Sequence, residues 1–142
     1  MRILIDTNVI MDFIVMREPF TSNAKQVIDI CMDKNIDVSI AAHSIPNLFY
    51  ILQKHLTIEQ RRDILLKLCK MFDIIGIDAN KLEHALNNHQ FKDFEDCLQD
   101  ICAKEFAADF ILTRNTNDFT SSLVPAIEPI DFIKIVAKIA NT

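Results

Sequence analysis

The chain has 142 residues, the size of one ordinary domain, and is 50% hydrophobic and 25% charged. With a mean hydropathy of +0.16 it carries enough apolar surface for one core, which excludes wholesale disorder. Lys and Arg number 15 against 20 Asp and Glu, a formal net charge of −5, which argues against affinity built on bulk positive charge.

Arg2 to Ile5 is an aliphatic run closed by Asp6 and predicts a buried strand. Asn8 to Val15 predicts a short helix that ends before Pro19. Thr21 or Ser22 is placed to cap a second helix running to about Asp33, with Ala24, Val27, Ile28 and Cys31 at helical spacing. DVSIA, from Asp37, predicts the second strand. Ser44 is placed to cap a third helix with Pro46 in its first turn and Leu48, Phe49, Ile51 and Leu52 along it. Thr57 followed by Gln60 is a capping-box pattern and opens a helix to about Met71. FDIIGID predicts a third strand. Asp78 caps a helix to about Asn88, and Asp93 precedes another from about Phe94 to Phe106. DFILT predicts a fourth strand, and PIDFIKIVAKIA a last amphipathic helix from Pro129. Short aliphatic strands alternating with helices predict a parallel sheet in an α/β sandwich, a single domain over residues 1–142.

Gly76 is the only glycine, so neither a Walker loop nor a GxGxxG dinucleotide turn is available. Cys31, Cys69, Cys97 and Cys102 form no CxxC pair and sit among apolar neighbours, as reduced thiols of a core do. The opening MRILID reaches an acid too early for an export signal, and no apolar run has the roughly 18 residues of a membrane span. The expected location is the cytoplasm.

In a parallel sheet, ligands gather outside the carboxyl ends of the strands, which makes the position of acids informative. Asp6 directly follows the first strand, Asp118 lies just past the fourth, and Asp96 is in the first turn of the helix that feeds the fourth. Carboxylates brought to one end of a sheet repel, and a divalent cation offsets that repulsion. Such an ion polarises a phosphodiester and activates water. Each acid also has a plainer reading: Asp6 as a helix cap, Asp96 as a partner of a helix dipole, Asp118 as a turn residue. His43, His55, His84 and His89 are scattered without ligand spacing.

ILIDTNVIMDFI at the start and DFEDCLQDICAKEFAADFILTRNTNDF late in the chain, with a helix-rich stretch between, resemble a PIN domain, and more narrowly the VapC-type toxin ribonucleases. The resemblance implies a three-layer α/β sandwich with a short parallel sheet of Rossmann-like topology. It implies a Mg²⁺- or Mn²⁺-dependent ribonuclease with Asp6, Asp96 and Asp118 as metal ligands. Asn8, Asn47, Thr113 and Asn115 would orient ligands or water, with Thr7 shaping the first turn. It also implies RNA as substrate, a homodimer and a small antitoxin partner. The chain departs from the family at one position. Many PIN nucleases carry a Glu in the helix after the second strand, and AAHSIPNLFYIL offers Asn47 as the nearest match. An amide carries no charge, which leaves three formal negatives. Glu95 or Asp93 can compensate, although Glu95 points about 100° away from Asp96 around the helix and reads as a surface acid. Asp100, one turn beyond Asp96, either extends the acid rim or is a solvated helix position.

Lys54 to Lys70 holds five bases against two acids, whereas Asp78 to Asp109 holds eight acids against three bases. Arg61 and Arg62 on the basic helix are candidate phosphate contacts, or ordinary solvated side chains. Arg114, inside the late loop, either grips a phosphate or pairs with a clustered carboxylate. Two other functions fit the same residues less well. One is a PIN-like module that binds RNA or a protein without cutting, motivated by Asn47. The other is an aspartyl-phosphate protein of haloacid-dehalogenase or receiver type, which the missing Asp-x-Asp and glycine turn disfavour.

Overall fold

A computed structural model describes residues 1–142. Five strands, β1 (Arg2–Ile5), β2 (Asp37–Ala41), β3 (Asp73–Ile75), β4 (Phe110–Leu112) and β5 (Ala126–Ile127), form one parallel sheet in the order β3-β2-β1-β4-β5. Seven helices cover it: α1 (Thr7–Ile14), α2 (Thr21–Asp33), α3 (Ser44–Ile51), α4 (Ile58–Met71), α5 (Ala79–Asn87), α6 (Phe94–Glu105) and α7 (Pro129–Ala140). The four strands and seven helices expected from the sequence are all present. The fifth strand is an addition: two residues are too short to show a period.

The alternation of β1 divides the core. Ile3 and Ile5 face α1–α4 and α7 with Ile40, Leu112 and Phe132, while Leu4 faces α5 and α6 with Ala41, Ile111, Leu98 and Cys102. Helix layers on both faces make the sandwich three-layered, and β1 at its centre is apolar throughout its buried length because neither face meets water. Cys31, Cys97 and Cys102 pack as expected, and burial pushes the Cys31 thiol up to about 12 and that of Cys102 up to about 11. Cys69 instead lies exposed on α4.

Asp6 caps α1 through the Thr7 amide, as one of its two readings has it, and three more residues that the sequence places at helix starts cap them. Thr57 and Gln60 form the reciprocal capping box of α4, Asp78 accepts from the Lys81 amide, and Asp93 accepts from the amides of Glu95 and Asp96. Two do not. Thr21 is already inside α2, whose cap position is Phe20, and Ser44 is the first residue of α3 with its hydroxyl turned inward. Both helices start without a side-chain cap, so packing against the sheet holds them.

The chain reverses its winding between β1 and β4. Strands run outward from β1 through β2 to β3, then cross back to β4 on the other side. Beyond the carboxyl ends of β1 and β4 the connections diverge and leave a crevice. Asp6 closes that end of β1, its amide still donating to the Leu112 carbonyl at 2.9 Å, and Thr113 closes β4.

Candidate active site

Asp6 is 7% exposed and heavily fastened. Its Oδ1 accepts from the Thr7 amide at 2.7 Å and from Gln99 Nε2 at 3.2 Å, and its Oδ2 accepts from the Thr113 hydroxyl at 2.8 Å. Thr113 Oγ1 in turn accepts from Asn8 Nδ2 at 3.3 Å and the Asn115 amide at 3.0 Å, so its one proton and both lone pairs are committed. Gln99 spends its second amide proton on Ser44 Oγ at 2.9 Å, which also accepts from Thr7 Oγ1 at 3.0 Å. One carboxylate is thereby locked, directly or through one intermediary, by residues of α1, α3, α6 and the β4 loop. The Oε1 of Gln99 is buried with no partner.

Asp6 opens onto a pocket of about 580 Å³ lined also by Asn8, Asn47, Glu95, Asp96, Gln99 and Asn115. Burial raises the Asp6 carboxyl above its ordinary range against the two hydrogen bonds that lower it, and the charges of Asp118 and Asp93 add to the rise. Asp96 is pushed up to about 7, first by burial and then by Asp93, Asp6, Asp118 and Glu95. The three aspartates expected to converge are therefore electrostatic neighbours. They do not form a closed cage: no three acidic, histidine or cysteine side chains stand close enough to grip one ion directly. Asp118 is exposed on a short 3₁₀ turn, Thr116–Phe119. The donor set still suits Mg²⁺ or Mn²⁺, hard ions that take one or two carboxylates and keep several waters.

The pH dependence of folding follows in sign. Asp96 ionises at its ordinary value in the unfolded chain and only near 7 in the folded one. The unfolded state therefore loses its proton first, and the parent loses stability from about pH 4 to about pH 7. Asp96→Asn lacks this penalty. In metal-free thermal melts its Tm should match the parent's at the acid end and rise above it progressively toward neutrality. Saturating Mn²⁺ should close the gap. A constant gap across the range contradicts the charge crowding.

Several residues lie elsewhere than expected. Glu95 is exposed, as a surface acid should be, and yet lines the pocket, because the rim is wide enough to admit two neighbouring positions of the first turn of α6. Asp100 neither joins the acid rim nor is solvated. It is buried, and its carboxylate accepts from the Leu123 amide at 3.1 and 3.0 Å and from the Val124 amide at 3.0 Å. Arg61 is buried, with Nη1 donating to the Phe49 carbonyl at 2.8 Å and its guanidinium 4.4 Å from the Phe49 ring. It staples α4 to α3 and does not line the pocket. Arg62 is exposed but does not line the pocket. Arg114 turns from the pocket: Nε and Nη2 donate to Asp12 at 2.6 and 3.2 Å, and its face lies 3.9 Å from the Phe20 ring centre. Only its amide serves the site, donating to Asn8 Oδ1 at 3.3 Å.

Arg17 and Gln99 line the pocket without having been singled out by the sequence. Gln99 had a usable signal, since three residues beyond Asp96 returns to the same helix face. His43, one of the four histidines without ligand spacing, is half-buried: burial lowers its imidazole and leaves both ring nitrogens unpartnered, while Glu95 and Asp93 pull the other way.

A family model described as "PIN domain" matches residues 2–117. The chain belongs to the PIN domain family. No curated protein matches it in sequence. Among solved structures, this PIN domain is similar to a toxin–antitoxin complex from Klebsiella pneumoniae at TM-score 0.66 and 22% identity, covering 89% of this chain and 96% of that one. It is similar to FitAcB from Neisseria gonorrhoeae at TM-score 0.62 and 20% identity, covering 90% and 98%. It is similar also to VapC20 from Mycobacterium tuberculosis, a sarcin-ricin loop cleaving toxin, at TM-score 0.61 and 13% identity, covering 77% and 86%. At these identities the likeness is one of fold. No helix is long and apolar enough to cross a membrane.

Proposed function

We propose that this PIN domain is a divalent-metal-dependent endoribonuclease, the toxin of a toxin–antitoxin pair. One observation carries the reading: a buried, triply bonded Asp6 stands at the end of the central strand and faces a pocket that also holds Asp96 and Glu95. Family membership and the fold shared with toxin structures support it.

Asp6, Asp96 and Asp118 are the residues that would hold Mg²⁺ or Mn²⁺, with Glu95 supplying negative charge that Asn47 does not. When bound, the ion supplies Lewis-acid polarisation of a phosphodiester. The protein's own share is positional. Thr113 and Gln99 fix the Asp6 carboxylate in one orientation, and outer groups of this kind govern how well a carboxylate serves an ion. Asn8 is spent on bracing Thr113 and the Arg114 amide, which keeps the β1 and β4 loops in register. Asn47 and Asn115 present amide groups to the pocket for substrate or water.

The reading includes RNA as substrate, the cytoplasm as compartment, a homodimer and a small antitoxin. Exposed apolar side chains on α3 and α4 (Tyr50, Ile58 and Leu66) support a covering partner. Labelled single-stranded RNAs should be cut with Mg²⁺ or Mn²⁺ and left intact with chelator. A second reading, a PIN module that binds without cutting, is favoured by Asn47 and by the open ligand set. Ion binding without cleavage of several RNAs selects it.

A further inference from the structure

We propose that Arg17, held in place by Asp12, is the residue that grips a backbone phosphate of the substrate strand at the pocket. The inference rests on the nuclease reading above and adds a contact to it. A strand entering this pocket brings phosphates toward Asp6, Asp96 and Glu95, and only a cation beside them reverses that repulsion locally. Arg17 is the one cation lining the pocket. The two arginines of the sequence reading that carried most promise are taken, Arg61 by the Phe49 carbonyl and Arg114 by Asp12.

Asp12 is 1% exposed and is bracketed by two guanidinium groups. Arg114 satisfies it through two nitrogens, while Arg17 approaches only through Nε, at 3.7 Å. Two cations on one carboxylate leave one positive charge in excess, and the geometry puts that excess on Arg17. Its side chain is 42% exposed, and no protein group engages its terminal nitrogens, so a fork of donors remains free. Two parallel N–H donors match a phosphate as a point charge does not. The backbone fixes where the fork stands. The Arg17 amide donates to the Asp12 carbonyl at 3.2 Å, and its carbonyl accepts from the amides of Phe20 and Thr21 at 2.9 and 2.8 Å. Arg17 is thus fastened on both sides in the α1–α2 connection.

The test is binding of a short fluorescein-labelled single-stranded RNA of random sequence, followed by anisotropy across a salt series. An Asp6→Asn background with Mn²⁺ present prevents cleavage. Arg17→Gln should weaken binding about tenfold, the effect of losing one charge-assisted contact. It should also reduce the slope of log affinity against log salt by about 0.7, the share of one phosphate on a single strand. Arg17→Lys should restore the slope but not the full affinity. In the chain with Asp6 intact, Mn²⁺ affinity by calorimetry should be no weaker with Arg17→Gln than without it. Arg61→Gln serves as the structural comparison: its partner is the Phe49 carbonyl and it does not line the pocket, so it should lower Tm and leave the salt slope alone. RNA binding with unchanged affinity and slope in Arg17→Gln overturns this inference and leaves the nuclease reading standing. Absence of both binding and cleavage in the parent overturns the nuclease reading, and this contact with it.

Discussion

Asp6→Asn removes RNA cleavage while the protein stays folded. The loss should exceed about 100-fold in kcat/KM, because even an outer partner of a metal-binding carboxylate costs up to about that much and Asp6 is the innermost acid. The fold survives for reasons visible around the side chain. Asparagine has the same shape and its Oδ1 can still accept from Thr7 and Gln99, so only the contact with the Thr113 hydroxyl is given up. Burial already disfavours the ionised form of Asp6, so neutralising the group removes a penalty. Tm in the absence of metal should therefore equal or exceed the parent's. A cleavage rate equal to the parent's refutes Asp6 as a ligand. A collapsed Tm with equal loss of activity points instead to a purely structural acid.

Asp12→Ala should be the most destabilising single change near the site. The carboxylate is buried in α1 and serves two guanidinium groups. Its removal leaves Arg114, only 22% exposed on its side chain, beside the Phe20 ring with no counter-charge. Breaking a buried pair by removing one partner costs about 3 kcal/mol at the low end, and the low end applies because Arg114 can swing toward solvent. For a domain of this size that corresponds to a Tm drop of roughly 9 °C in a calorimetric melt. The double variant Asp12→Leu, Arg114→Met should recover most of it, since replacing both charges by apolar groups leaves nothing unpaired. A drop below about 3 °C for Asp12→Ala would show that the pair is too solvated to matter.

The sheet and helices were legible because their signals are local. β1 and β2 are short aliphatic runs between polar residues, and Thr57, Asp78 and Asp93 each cap a helix through a hydrogen bond two or three residues along the chain. Asp6 was legible for a related reason: a strand end in a parallel sheet has a known neighbourhood. What escaped was the direction of long side chains. Arg114 and Arg61 go where Asp12 and Phe49 are, 102 and 12 residues away in sequence. Asp100 binds amides 23 and 24 positions downstream. No local spacing encodes those partners. Glu95 stands about 100° around the helix from Asp96 and is exposed, yet it shares the pocket, since a broad pocket takes in more than one helix face.

The double duty of α6 has a mechanical consequence. Asp96 presents its acid to the pocket, and one turn on Asp100 ties down the chain at Leu123 and Val124, just downstream of the segment bearing Asn115 and Asp118. Any rotation of the helix drags that segment along, so the two sides of the crevice keep their spacing like jaws cast in one piece. On the proposed nuclease reading, discrimination among RNAs would then depend on which strands already have the right contour on arrival. Structured targets whose cleavage point is pre-bulged should outcompete those that require the protein to yield.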